Sequence, residues 1–246
     1  MMEAGWPRVA MVLAAGLGKR MRPYTETVPK PLVRVAGRTL VDRVLDRFEA
    51  YGVERVVVNV HHHRGQMESH LGGRTRPPIV LSPESDLLET GGGVRNALPH
   101  LGAAPFFVAN ADNLWLDGRM PTLVRMARAW NETDMDALLL INSGATAFGY
   151  EGLGDFFCNA DGRLRRRRER EIAPYVYAGV HILHPRLLRH APNGAFSLNV
   201  VWDRALAEGR LFGLLHDGRW FHVGAPEGLA IAEAELGPVR PAREET

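Results

Sequence analysis

Cysteine occurs once, at position 158. A lone cysteine excludes an internal disulfide framework, and a reducing cytoplasm is the simplest compartment to expect. Long apolar runs are missing too. No stretch reaches the roughly 18 residues that a membrane span needs, so none is expected. The opening MMEAGWPR has no apolar middle of the kind a secretory signal carries. Charge of one sign is also scarce. Thirty Lys and Arg face 28 Asp and Glu, for a formal net charge of +2, too little to favour nucleic acid as a general partner. An apolar fraction of 46% over 246 residues rules out a disordered chain and is enough for a large core.

One more absence concerns LAAGLGKRMRP, residues 13–23. It follows an apolar run and is rich in glycine and positive charge, as a phosphate-binding loop is. A dinucleotide loop needs a third glycine three residues after Gly18, and Met21 stands there. A Walker loop needs glycine at position 13 and Ser or Thr at position 20, where the chain has Leu13 and Arg20. Another kind of nucleotide loop and a plain glycine turn both stay open at this point.

What is present is an alternation of strand and helix patterns. RVAMVLAA (8–15), RVVVNV (55–60), PPIVL (77–81), PFFVAN (105–110), DALLLIN (136–142) and YVYAGVHIL (175–183) read as buried strands. In TLVDRVLDRFEAYG, Leu40, Val41, Val44, Leu45, Phe48 and Tyr51 recur at helical spacing, and Gly52 is a stop. Met120, Leu123, Val124, Ala127 and Trp130 mark another helix, as do SLNVVWDRALAEG and PEGLAIAEAEL. LFGLLH and RWFHV read as two strands paired across Asp217-Gly218. Short connections predict a Rossmann-like, mostly parallel α/β sheet flanked by helices, with ligands beyond the carboxyl ends of its strands. No linker divides the chain. We expect one domain over 1–236, with a first half at about 8–115, a second half at about 116–236, and a polar tail at 237–246.

Four pieces carry chemistry. Gly16 and Gly18 offer backbone N–H groups to a phosphate or base, and Lys19, Arg20 and Arg22 add charge. Lys30 sits between Pro29 and Pro31, which fix the backbone around a point charge. SPESDLLETGGG (82–93) puts three glycines at a helix start, with Glu84 and Glu89 as hydrogen-bond acceptors. FFVANADNLW (106–115) places Asp112 just past a buried strand, where one or two carboxylates suffice to hold Mg²⁺ against a triphosphate. Each piece alone is equally a turn, a solvated loop or a helix cap.

Together, in this order and at these separations, LAAGLGKRMRP, PKP, LETGGG and NAD (110–112) resemble the sugar-1-phosphate nucleotidyltransferases over residues 8–232. The resemblance implies a nucleotidyltransferase (GT-A-like) fold, with 8–115 as its nucleotide-binding half and 116–236 as its sugar-binding half, and a reaction in which a sugar-1-phosphate oxygen attacks the α-phosphorus of a nucleoside triphosphate. It implies nucleotide contacts from Leu13, Ala14, Ala15, Gly16, Gly18, Lys19, Glu84, Thr90, Gly91 and Gly92. Catalytic roles fall to Arg20, Lys30 and Asp112, sugar contacts to Asn110, Gly179 and Glu89, and Mg²⁺ to Asp112. His222 stands where many members have a second metal-binding aspartate, so His222 or Asp203 becomes the candidate for that contact. A non-catalytic nucleotide or sugar-phosphate sensor is the reading that this substitution favours. Within the family the chain looks most like the compact bacterial N-acetylmuramic acid α-1-phosphate uridylyltransferases, which recycle cell-wall sugars with UTP. Mannose-1-phosphate guanylyltransferases are the alternative. A monomer or a homodimer is expected, and neither a membrane nor nucleic acid as partner.

His61, His62 and His63 read as a loop at the crevice mouth, because adjacent residues on an extended chain point to alternating faces. RLRRRRERE (163–171) reads as a solvated strand edge, with a substrate carboxylate such as the lactyl group of muramic acid as its second reading.

Overall fold

The computed structural model describes residues 5–237. The tail expected at 237–246 therefore lies outside the described residues from 238 onward. In chain order the strands are β1 (Val9–Leu13), β2 (Arg34–Val35), β3 (Arg38–Thr39), β4 (Arg55–Val60), β5 (Ile79–Pro83), β6 (Phe106–Asn110), β7 (Leu114–Leu116), β8 (Ala137–Ser143), β9 (Phe156–Cys158), β10 (Leu164–Arg166), β11 (Tyr175–Leu183), β12 (Leu211–Leu215) and β13 (Arg219–Phe221). The helices are α1 (Leu40–Tyr51), α2 (Arg64–Gly72), α3 (Glu89–Leu101), α4 (Thr122–Ala129), α5 (Asn199–Ala207) and α6 (Pro226–Leu236).

Nine strands form one sheet, in the order β10-β9-β11-β6-β1-β4-β5, with β8 bonded to β11 and β12 to β8. The half that carries the glycine loop is parallel: β5, β4, β1 and β6 run the same way. β11 is antiparallel to both β6 and β8, so the sheet is mixed on its other side. Alternate residues of the strands go to opposite faces, and both faces are covered. Ala10, Val12, Val56, Val58, Phe107 and Ala109 pack with α1, α2 and α4. Met11, Val57, Phe106 and Val108 pack with α3 and α5. Two covered faces explain why these strands read as continuous apolar runs.

α1 follows its pattern closely. Thr39 caps it by accepting the Asp42 N–H, and Gly52 closes it at φ 93°. Its buried residues are the six expected. α4 is shorter than its pattern: Met120 precedes it and Trp130 caps its end. LFGLLH and RWFHV do not pair with each other. β12 lies parallel on β8, whereas β13 runs antiparallel to β7 in a separate two-stranded sheet. The Asp217-Gly218 turn thus passes the chain from one sheet to another. α6 packs there with Met21, Leu114, Phe221 and Val223.

Candidate active site

The crevice opens at the carboxyl ends of β1, β4 and β6, as expected of a parallel α/β sheet. Its largest chamber, about 500 Å³, is lined by Leu13, Ala14, Ala15, Gly16, Gly18, Lys19 and Arg20 from the loop after β1. Lys30, Asn59, Glu89, Thr90, Asn110, Asp112, Ser197 and Gly224 are among its other lining residues. Gly18 has φ 62°, and its carbonyl accepts both the Met21 N–H and the Thr25 hydroxyl. These bonds turn the chain so that Lys19 and Arg20 follow at the rim.

A second chamber, about 240 Å³, lies beside the first. Arg20, Lys30, Asn110, Asp112 and Gly224 line both. The second adds Tyr150, Asp155, Tyr177, Gly179 and His222. At the junction the Lys30 ammonium donates to Asp112 Oδ2 at 2.5 Å. The Lys30 side chain is mostly buried, whereas a third of the Asp112 side chain is exposed. Burial pushes the His222 imidazole below its ordinary pKa, and the positive charges of Arg20 and Lys30 push it the same way. His222 is therefore neutral near pH 7. The Tyr177 phenol is driven well above its ordinary value by burial, with Asp112 adding to the effect.

Several expected contacts are supports instead. Glu84 is buried and does not line the chamber. Its Oε1 accepts the Asn59 side-chain N–H at 2.7 Å and its Oε2 the Leu88 N–H at 3.1 Å. Asn59 in turn accepts the Ala14 N–H at 2.7 Å, so Glu84 fixes the loop's start through Asn59. Both carboxylate oxygens have protein partners, and in this structure Glu84 holds the loop rather than lining the chamber. Gly91 and Gly92 do not line the chamber either. Their N–H groups donate to the Phe196 carbonyl, and a Cβ on them would meet the Phe196 ring at 2.3 Å and the Gly194 carbonyl at 2.4 Å. They let α3 pack against the 194–198 loop. Thr90 does reach the chamber, and its hydroxyl accepts the Leu198 N–H.

Gly179 lies in the second chamber at φ 78°, where the β11 register on β8 shifts. A Cβ there would meet the Asn113 side chain at 2.9 Å. Asp203 is not brought to the junction. It sits on α5, mostly exposed, and its carboxylate pairs with Arg166. Nor do the three histidines line these chambers: His61 Nδ1 lies 3.1 Å from the Glu84 carbonyl, and His63 caps α2.

Residues 10–215 match the model of the MobA-like NTP transferase domain. The chain belongs to that family. It is 46% identical over 235 residues to the N-acetylmuramate alpha-1-phosphate uridylyltransferase of Caulobacter vibrioides, covering 94% of this chain and 97% of that one. It is 34% identical over 232 residues to the protein of the same name from Neisseria meningitidis serogroup B, covering 93% and 98%. Among solved structures, the inositol-1-phosphate CTP transferase from T. maritima superimposes with a TM-score of 0.74 at 21% identity, covering 96% of this chain and 99% of that one.

This NTP transferase has site residues that sequence reading passed over. Asn59, Tyr150, Asp155, Tyr177, Ser197 and Gly224 line the crevice. Asn59 did leave a signal, as the one polar residue inside the apolar RVVVNV strand. Asp155 and Tyr177 left none, because only the sheet brings them beside Asp112. Among the described residues no three His, Cys, Asp or Glu side chains converge as a metal site. An all-protein metal cage does not suit that donor set. Mg²⁺ does, since it takes one or two carboxylates and fills its shell with water and phosphate oxygens. No helix among the described residues is long and apolar enough to cross a membrane.

Proposed function

We propose that this chain transfers the uridylyl group of UTP to N-acetylmuramate α-1-phosphate, giving the UDP-sugar and pyrophosphate. The larger chamber takes the nucleotide, the smaller one the sugar phosphate, and the α-phosphorus sits at their junction. The observation that carries this reading is the junction itself. Arg20, Lys30 and Asp112 border both chambers, so two cations that can neutralise phosphate, and a carboxylate that can hold a metal against it, stand where two phosphates must meet.

The chemistry follows from that placement. A sugar-phosphate oxygen forms the new bond to the α-phosphorus while the bond to the β-phosphate oxygen breaks. Little covalent help is needed, so positioning and charge carry the rate. The loop N–H groups and Lys19 hold the triphosphate. Arg20 and Lys30 neutralise charge that builds on the α-phosphoryl oxygens. Asp112, with Asp155 in the same chamber, would hold Mg²⁺, which would supply positive charge against the phosphates. His222, neutral near pH 7, offers a ring nitrogen to the sugar phosphate rather than a ligand set for a second ion.

The choice of UTP and of the muramyl sugar is supported by the activity named for the two bacterial relatives. UTP as donor suits a cytoplasmic setting. Purified protein with Mg²⁺ should release pyrophosphate from UTP and N-acetylmuramate α-1-phosphate. The same assay should be run with GTP, CTP and dTTP, and with glucose, glucosamine and mannose phosphates. Turnover confined to GTP with mannose-1-phosphate would overturn the substrate assignment. Nucleotide binding without turnover on any pair would favour a sensor.

A further inference from the structure

A third chamber, about 260 Å³, opens off the other two. It shares Asn110 with both, Thr90 and Ser197 with the first, and Asp155 and Tyr177 with the second. One cation lines it: Arg166. The arginine run around it is dispersed by its contacts. Arg165 points to the other side of β10, where its guanidinium lies 4.0 Å from the Phe157 ring and pairs with Glu171. Arg167 bonds to the carbonyls of Gly154, Arg168, Glu169 and Glu171. Arg166 alone is aimed at the crevice.

Its guanidinium is held on one edge. Nε and Nη2 lie 2.8 and 2.7 Å from Asp203 Oδ1, and Nη2 also donates to Asn199 Oδ1 at 3.3 Å, while the group lies over the Phe156 ring. Nη1 has no hydrogen-bond partner among the described residues. Arg166 is thus oriented by Asp203 and left with a free corner of its fork. Ser197 lies in the same chamber. Its hydroxyl accepts the Asn199 N–H and keeps its own proton to donate. A fixed guanidinium corner beside a hydroxyl donor suits a carboxylate. A sugar without an acidic substituent leaves that corner unused.

We propose that Arg166, with Ser197, binds a carboxylate carried by the sugar and so selects a carboxyalkyl-substituted sugar-1-phosphate over the plain N-acetylhexosamine phosphate. This inference rests on the uridylyltransferase reading and adds the residue that reads the lactyl ether. It also gives Asp203 a role: it does not hold metal but aims Arg166.

The test compares two acceptors that differ only in the lactyl group, N-acetylmuramate and N-acetylglucosamine α-1-phosphates, each with UTP. For the wild type, kcat/KM should favour the muramate. In Arg166→Gln that preference should narrow by about 10–100-fold, the range for a hydrogen bond to a charged group. Arg166→Lys keeps the charge without the fork and should fall between the two. Equal losses on both acceptors, or an unchanged preference, would overturn the role of Arg166 while leaving the proposed function intact. A wild type that turns over only sugar phosphates lacking a carboxylate would overturn both.

Discussion

Lys30 and Asp112, 82 positions apart in sequence, meet at 2.5 Å where the proposed nucleotide and sugar chambers join. The Lys30 side chain is nearly buried, between two prolines that hold its backbone. Its ammonium can shift to a phosphate oxygen without moving its stem. Lys30→Ala should lower kcat by about 10²–10³-fold, as expected when one donor to a charged transition state is lost. KM for UTP should change far less. Steady-state pyrophosphate release measures both, and wild-type turnover in this variant would remove Lys30 from catalysis.

Metal removal should discriminate among the acids. Turnover should disappear with a chelator and return with Mg²⁺. Asp112→Asn should raise the Mg²⁺ concentration needed for half-maximal rate by at least about tenfold, since it loses a charged ligand. Asp203→Asn should leave that concentration where it is, because Asp203 pairs with Arg166 away from the junction. A matching shift in both variants would contradict this placement.

Gly92→Ala should destabilise the protein by about 1–3 kcal/mol, the usual cost of overpacking. Its Cβ would sit 2.4 Å from the Gly194 carbonyl, so the backbone there must shift. The displaced 194–198 loop carries Ser197, so KM for the sugar phosphate should rise with the loss in denaturation midpoint. An unchanged midpoint would show that the α3 contact is slack.

His181 sets an acid limit. Burial drives its pKa down to about 3, and the Tyr177 hydroxyl lies 2.7 Å from its Nδ1. The unfolded chain takes up a proton near pH 6.5 that the folded chain refuses until near pH 3. Stability due to His181 is therefore whole above about pH 6.5 and falls as pH drops through that window, by at most about 1.4 kcal/mol per pH unit. His181→Gln cannot take the proton. Its unfolding free energy should decline less steeply between pH 6.5 and 5 than that of the wild type. Parallel declines would show that other groups set the limit.

The sequence pattern was legible wherever one side chain's burial decides local structure. α1 matches its apolar spacing, and β4 and β11 match their apolar runs residue for residue. α2 escaped because only Met67 and Leu71 are buried, too few to make a stripe. The pairing of β12 and β13 was misread because a tight Asp-Gly turn fits a hairpin and equally a change of sheet. In the site, the glycine loop, Lys30 and Asp112 were legible as local motifs. Glu84, Gly91 and Gly92 were legible as special positions, but local sequence does not distinguish touching a ligand from holding what touches it. Asp155 and Tyr177 depend on β11 lying beside β6 and β9, a relation that no short window contains.

That relation has a mechanical consequence. β6 ends at Asn110 beside the nucleotide chamber, and β11 carries Tyr177 and Gly179 of the sugar chamber. The two are zipped edge to edge, with Ala109 opposite Val180 and Phe106 opposite Leu183. A ladder of backbone bonds, not a hinge, joins the strands that carry the two chambers. On the proposed function the site works like a jig rather than a jaw: the separation of the chambers is set when the protein folds.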